Sequence, residues 1–292
     1  MIDGLGGATQ LFVANLNATQ TRLQQLNNEI TSGIRVSQAG DDPSAVQPIL
    51  STQAEIARVT QVQTNLNSVS SETDAADSAL QSATNLLNSA LSIAAQNASS
   101  TATPQSMAAG AQQVEQMLTQ MVGIANTAVN GRYIFGGDAT STAPYAWTAG
   151  AVQQISSAPS TRVIEDAGGN QLQPLGAAVD IFGSSFQAMS DLASALSGGN
   201  PATVQSAIVK LKSAQSDMST QLVSVGDAQT WIQSAKTDAA ARLTSLQAHL
   251  STLRDTDMTS AITELTVAQT AEQAAIQTQA QIPRTSLFNF LG

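Results

Sequence analysis

The chain has no cysteine and a single histidine, His249, among its 292 residues. Without thiols there is no disulfide, no thiolate nucleophile and no thiolate metal site. One imidazole leaves a transition-metal centre few ligands to draw on. Between Leu246 and Leu250 on a helical pattern, His249 reads as an ordinary surface or seam residue. Aromatic residues make up 3% of the chain and charged residues 11%, which excludes a deep aromatic core. The formal net charge is -10, and no Lys or Arg occurs between Arg58 and Arg132. With no basic stripe there, nucleic acid is not expected as a partner. No run approaches the ~18 apolar residues that cross a bilayer, so no membrane insertion is expected. Met1 to Gly7 carry neither a basic n-region nor an apolar h-region, so no ordinary secretory signal is read, and if the chain leaves the cell it does so without a cleaved signal peptide of that kind. There is no G-x-S-x-G, P-loop or dinucleotide fingerprint. We therefore assign no catalytic, cofactor-binding or metal residues, no cofactor and no enzymatic activity. The acidic pairs Asp41/Asp42 and Asp255/Asp257 have the composition of an acid–base pair, but helix capping explains them more cheaply.

What the chain does have is small apolar residue, much of it Ala, within a 42% hydrophobic fraction. Ser, Thr, Gln and Asn make up most of the remainder. That composition suits closely packed helices. The organising stretch is the C-terminal end, Asp255 to Gly292. From Met258 onward, Ile262, Leu265, Ala268, Ala275, Ile276 and Ile282 fall at helical spacing on one narrow stripe. At the other end Leu16, Leu23 and Ile30 repeat every seven residues, with Thr19, Leu26 and Gly33 each three residues further on. Each stripe is too polar to stand alone and offers the other a seam. The final Leu287, Phe288, Phe290 and Leu291 form an apolar tail, a liability on a lone chain unless an assembly buries it.

Between the ends the pattern is long helices around a short β-prone stretch. The first helix is expected to end near Gly33. Asp42 and Pro43 suit an N-cap and a first helical position, with regular helix safest from about Pro48. No proline or glycine interrupts Ile49 to Thr103. There Val59, Leu66, Thr73, Leu80, Leu87 and Ala94 repeat by seven, and Val62, Val69, Ala76, Ala83 and Ala90 fill the second seam position, a coiled-coil or long-bundle signal. Thr103-Pro104 opens another helix, expected to stop at Asn130-Gly131. Arg132 to Phe135 is β-prone and closed by Gly136-Gly137. Tyr133, Ile134 and Phe135 are expected to pack where helix meets the β region. Pro144, Pro159, Pro174 and Gly168-Gly169 then mark turns and hairpins. Helix returns near Ile181, and Asn200-Pro201 caps a last long one. Asp255-Thr256-Asp257 marks a kink or a restart. The expected fold is mainly α, an elongated antiparallel long-helix bundle or coiled coil with a small β-rich insertion in mid-chain. The expected division is 1–43 with 255–292, 44–137 with 181–254, and 138–180.

Specific residues in this layout resemble the bacterial flagellin family. Ile30-Thr31-Ser32-Gly33-Ile34-Arg35-Val36 with Asp41-Asp42-Pro43 is similar to the family's N-terminal SSG-x-R…DDP element. Asp255-Thr256-Asp257-Met258 with Ala261, Ile262, Leu265 and Gln269 is similar to its C-terminal element. Asp41-Asp42-Pro43, Asn130-Gly131-Arg132-Tyr133-Ile134-Phe135-Gly136-Gly137 and the Ser286 to Leu291 ending resemble the hook–filament junction branch most. Ile34 stands where the family usually has Lys or Leu, and Pro283 precedes the final motif.

The resemblance implies a structural subunit of the bacterial flagellum that joins hook to filament by axial helix packing. It implies extracellular placement after type III export and terminal helices that order only on assembly. The implied partners are copies of the chain in a helical or ring assembly, an adjacent hook-associated protein, flagellin and an export chaperone. The assembly interface is then assigned to Leu16, Leu23, Leu26, Ile30, Ile262, Leu265, Ile276, Leu287, Phe288, Phe290 and Leu291. Arg35, Asp41, Asp42, Pro43, Arg132, Tyr133, Phe135, Asp255 and Asp257 are the structural motif residues. The alternatives are a filament-forming flagellin and a cell-surface adhesin or carbohydrate-binding relative that uses the mid-chain insertion.

Overall fold

The structure, a computed structural model, describes the backbone of residues 3–99 and 101–281 and the side chains of residues 10–99 and 101–280. It is mainly helical. The helices are α1 (Asp3–Ser32), α2 (Pro43–Asn97), α3 (Pro104–Ala125), α4 (Ala178–Ser197), α5 (Pro201–Arg254) and α6 (Met258–Gln281). Between α3 and α4 lie β1 (Ala128–Val129), β2 (Arg132–Tyr133), β3 (Tyr145–Thr148), β4 (Ala151–Gln154), β5 (Ile164–Glu165) and β6 (Gln171–Leu172). They form three separate antiparallel hairpins, β1–β2, β3–β4 and β5–β6. The chain divides into two units, Met1–Ala57 with Thr244–Gly292, and Arg58–Leu243. Both α2 and α5 contribute residues to each.

In the Arg58–Leu243 unit the heptad pattern becomes a packed seam. Val59, Leu66, Thr73, Leu80, Leu87 and Ala94 of α2 are all fully buried. On α5 Val204, Leu211, Met218, Val225, Ile232 and Ala239 repeat by seven and are likewise buried. The two helices run antiparallel in register. Gln215 donates to Asn88 at 2.6 Å and Gln229 to Asp74 at 3.0 Å, so 14 residues back on α2 match 14 forward on α5. Alanines fill the second seam position on both sides, at Ala76, Ala83 and Ala90 and at Ala207, Ala214, Ala228 and Ala235. Small side chains there let the backbones approach, and shape matching replaces bulk. The one polar seam residue, Thr73, returns its hydroxyl to the Val69 and Ser70 carbonyls, so its burial leaves no orphan group.

The helix α2 ends at Asn97, earlier than the absence of breakers before Thr103 implies. The Asn97 amide donates to the Ile93 carbonyl at 2.9 Å and accepts from the Ser106 hydroxyl at 3.1 Å. A buried polar side chain thus closes the last turn of α2 and ties it to the start of α3. Thr103 and Ser106 exchange side-chain and backbone bonds in a capping box, with Pro104 at the first helical position. Pro48 sits inside α2, which begins five residues before it at Pro43.

The Asn130-Gly131 pair does not end α3. The helix stops at Ala125, and Asn126 receives the turn back. Asn130 (φ 52) and Gly131 (φ 75) are the two loop residues of the β1–β2 hairpin. Two successive positive φ values are what a type I′ turn requires, and Asn-Gly is its preferred dipeptide. The Asn126 amide then clamps the next hairpin, donating to the Tyr145 carbonyl at 2.7 Å and accepting from its N–H at 3.1 Å. Of the β-prone run at residues 161–164 only Ile164 lies in a strand.

Phe135 is fully buried and meets Phe182 of α4 edge to face, ring centroids 5.1 Å apart. The Tyr145 and Phe186 rings meet beside it at a tilt of 51°, centroids 4.5 Å apart. The few aromatics of the chain are therefore concentrated where the hairpins seat on α3 and α4, where each buries the most area. Tyr133 and Ile134 are half-buried at the same junction.

Candidate assembly interface

The Met1–Ala57 with Thr244–Gly292 unit holds most of the residues that the sequence marks for assembly. Within it α1 and α6 pair antiparallel. Arg22 forms an ion pair with Glu264, and Gln20 donates to Glu272 at 3.2 Å. Leu26 is buried at 1% exposure, and Ala261 faces the same interior at 4%. Leu16, Leu23, Ile30 and Leu265 are half-buried. Ile262 and Ile276 point outward, 51% and 49% exposed. Sequence periodicity placed these two on the seam. The narrow α6 stripe instead divides, Ala261 and Leu265 turning inward and Ile262 and Ile276 outward. Leu287, Phe288, Phe290 and Leu291 lie outside the described residues.

Below this helix pair the two sequence motifs meet. Ile34 and Asp255 form an antiparallel bridge. The N–H groups of Arg35 and Val36 donate to the Arg254 carbonyl at 2.8 and 3.1 Å, and the Thr256 N–H donates to the Gly33 carbonyl at 2.9 Å. Gly33 allows this close return because it takes a positive φ of 71. Arg35 then ties three segments together. One guanidinium nitrogen pairs with Asp42 at 3.1 Å and the other donates to the Leu253 carbonyl at 2.9 Å. A cation at the C-terminus of α5 also suits the helix dipole. Val36, Ala45 and Ile49 pack beneath it with Leu250 and Leu253.

The acidic residues of the two motifs work as backbone acceptors. Asp42 accepts from the Ser44 hydroxyl at 2.6 Å and from the Ser44 N–H at 3.2 Å at the start of α2. The Ser44 bond, then Arg35, holds its carboxyl below the ordinary range. Asp41 accepts from the N–H groups of Gln38 and Ser37 at 2.8 and 2.9 Å, and these bonds depress its pKa. Asp257 accepts from the N–H groups of Thr259 and Ser260 at 2.9 and 3.2 Å, at the start of α6. Its pKa falls through the Ser260 and Thr259 bonds. Asp255 is lowered by Ser251 and then by Arg254. Pro43 opens α2, exposed. A cleft of about 250 Å³ opens among Arg22, Glu29, Arg35, Asp41, Asp257 and Glu264. It has no apolar floor beyond Leu26 and Ala261, and its ionisable groups are engaged in pairing and capping.

Arg132, Tyr133 and Phe135 belong to the other unit. Among the described residues no group of three or more His, Cys, Asp or Glu is placed to hold a metal ion, and no helix is long and apolar enough to cross a membrane. His249 is exposed. Sequence reading missed the outer apolar residues Leu11, Val13, Met258 and Val267, which are 68%, 48%, 41% and 64% exposed. Periodicity alone does not separate an inward from an outward apolar side chain on a helix this polar. The signal that was available is the count of apolar positions on α6, which exceeds what one narrow seam covers.

Two family models match the chain. The bacterial flagellin N-terminal helical region matches residues 7–140 and the bacterial flagellin C-terminal helical region matches residues 204–291. No curated protein matches. Among solved structures, one assigned as a flagellar hook-associated protein of Vibrio parahaemolyticus is similar at 17% identity and a TM-score of 0.64, covering 73% of this chain and 99% of that one. The FlgL of Xanthomonas campestris is similar at 16% identity and a TM-score of 0.62, covering 68% and 99%. The FlgL of Bacillus cereus is similar at 18% identity and a TM-score of 0.57, covering 70% and 100%. At these identities the likeness is one of fold.

Proposed function

The chain belongs to the bacterial flagellin family of structural flagellar axial proteins, and from that premise we propose that it joins hook to filament. Its work is packing. Residues 1–43 and 255–292 form the assembly domain, which docks axially against equivalent helices of neighbouring subunits. Residues 44–137 with 181–254 form the helical rod, and 138–180 a small insertion. The neighbours are copies of itself in a ring or helical assembly, an adjacent hook-associated protein and flagellin, reached after chaperoned export without a cleaved signal peptide.

The observation that carries the assembly reading is the outer apolar surface of α1 and α6. The α1–α6 pair turns Leu26 and Ala261 inward but leaves Leu11, Val13, Ile262, Val267 and Ile276 in water. Such a surface is a liability in isolation and an asset once covered by like helices. The junction assignment is supported by the run from Asn130 to Gly137 and by the likeness in fold to a hook-associated protein and two FlgL proteins.

Immunogold electron microscopy of intact flagella, with an antibody to residues 138–179, tests this. Label confined to a short band at the distal end of the hook is the expected result. Label along the whole filament makes the chain a filament-forming flagellin. Label on the cell body alone removes the axial reading and favours an adhesin.

A further inference from the structure

Only one asparagine of the chain, Asn130, is followed by glycine. It is exposed at the tip of the β1–β2 hairpin, and so is Gly131. The side-chain amides of Asn97, Asn126 and Asn170 are held by hydrogen bonds. The Asn130 amide takes none among the described residues. Gly131 carries no side chain to shield its own backbone nitrogen. Asn200, by contrast, precedes Pro201, which has no N–H to offer.

A free amide next to an unshielded backbone nitrogen supplies both reactants of an intramolecular exchange. The Gly131 nitrogen, losing its proton, bonds to the Asn130 side-chain carbonyl carbon, and the amide nitrogen leaves as ammonia. Water then opens the resulting cyclic imide at one of its two carbonyls. Breaking the new bond gives aspartate. Breaking the original peptide bond gives isoaspartate, with the main chain rerouted through the side chain. Nothing is oxidised or reduced. The folded turn opposes the first step. Asn130 (φ 52) and Gly131 (φ 75) follow the type I′ pattern, whose first central residue has a ψ of ~+30°. At that ψ the Asn130 Cβ and the Gly131 nitrogen lie nearly opposite across the Cα–C bond, whereas ring closure needs them side by side. Pairing of Val129 with Arg132 holds the turn in this form.

We propose that Asn130 is a deamidation site that the β1–β2 hairpin locks in the folded chain and leaves open in the unfolded one. The two products differ in consequence. Asp-Gly suits a type I′ turn as Asn-Gly does, so a chain with aspartate at 130 folds as before. Isoaspartate lengthens the main chain of a two-residue loop, and Ala128 with Tyr133 and Val129 with Arg132 no longer pair in register. Phe135, fully buried against Phe182 just beyond β2, then loses its fixed seat.

Peptide mapping by mass spectrometry follows conversion of residue 130 in the full-length chain, kept native or in concentrated guanidinium chloride at neutral pH. Isoaspartate is counted by enzymatic methylation. The folded chain reacts only through local opening of the hairpin, so conversion should be at least about tenfold faster in denaturant. Gly131→Ala should slow it in denaturant, where no turn remains and only crowding of the attacking nitrogen differs. Equal rates in the native and denatured samples overturn the lock. Absence of conversion at residue 130 in denaturant, or conversion that Gly131→Ala does not slow, overturns the site. After refolding, the isoaspartate fraction should melt below the parent, and Asn130→Asp should melt with the parent. An isoaspartate fraction that melts like the parent overturns the assigned consequence.

Discussion

Arg35 shows how one side chain can hold a junction. Its backbone N–H, its two outer nitrogens and its charge bind the α1–α2 loop, the start of α2 and the end of α5. The carboxylates around it stabilise the fold only while ionised, and that fixes a pH dependence. Asp41, Asp42 and Asp257 have folded pKa values below the ordinary carboxyl value of 3.8. A depressed pKa contributes stability that is present above the unfolded value and is lost as pH falls through the folded one. The thermal midpoint of the full chain should therefore be flat from neutrality to about pH 5 and fall below about pH 4. In Asp42→Asn part of that acid-dependent fall should vanish, because the titrating acceptor is gone. Equal slopes in the two proteins would remove Asp42 from the account. Glycines give a second test at this scale. Gly131 (φ 75) has open space where a Cβ would sit, whereas at Gly137 (φ 57) a Cβ would collide with the Ala158 carbonyl and lie 2.6 Å from that of Pro159. Gly131→Ala should cost about 1 kcal/mol, the left-handed backbone term alone. Gly137→Ala should cost roughly 3 kcal/mol, because clash adds to strain. Chemical denaturation of both variants compares them.

At the scale of the element, the seam between α2 and α5 carries the Arg58–Leu243 unit. Leu87 is fully buried within the main core, so Leu87→Ala should destabilise by about 2–5 kcal/mol in urea melts. Leu50 of α2, 59% exposed, should tolerate alanine within about 0.5 kcal/mol. This seam was legible in the sequence because its period is long and its residues bury completely. The seven-residue series Val59, Leu66, Thr73, Leu80, Leu87 and Ala94 reads the same way in pattern and in packing. Legibility failed where one local signal serves two geometries. Asn-Gly closes helices and also makes type I′ turns, and the choice at Asn130-Gly131 was decided by pairing of Val129 with Arg132 across the hairpin. It failed again at Asn97, whose helix-ending bonds reach Ser106 nine residues on. A propensity window does not see that contact. In the candidate interface, the motif residues were visible singly. The bridge of Ile34 to Asp255, which makes one site of two motifs, depends on pairing of residues more than two hundred positions apart in sequence.

Both units leave apolar side chains in water, Val209 and Val223 of the Arg58–Leu243 unit at 68% and 65% exposure among them, but the two units differ in how much core stands behind them. The aromatic anchors Phe135, Phe182 and Phe186 and the complete seam positions of α2 and α5 are buried within the Arg58–Leu243 unit. The other unit keeps large side chains in water on α1 and α6. Polar outer positions there would satisfy a monomer better, and the proposed assembly role accounts for the apolar ones by burial against other chains. Ile262→Asp combined with Val267→Asp separates monomer stability from assembly. Both side chains are already solvated, at 51% and 64% exposure, so the variant should keep its circular dichroism and melt within about 0.5 kcal/mol of the parent. Two carboxylates brought into a helix–helix seam would be desolvated without partners, which is strongly unfavourable. The double variant should therefore fail to enter flagella when it replaces the parent chain in cells. Incorporation at parental levels would show that the outer face of α6 is not the docking face. Loss of fold in the purified variant would show that these residues stabilise the monomer instead.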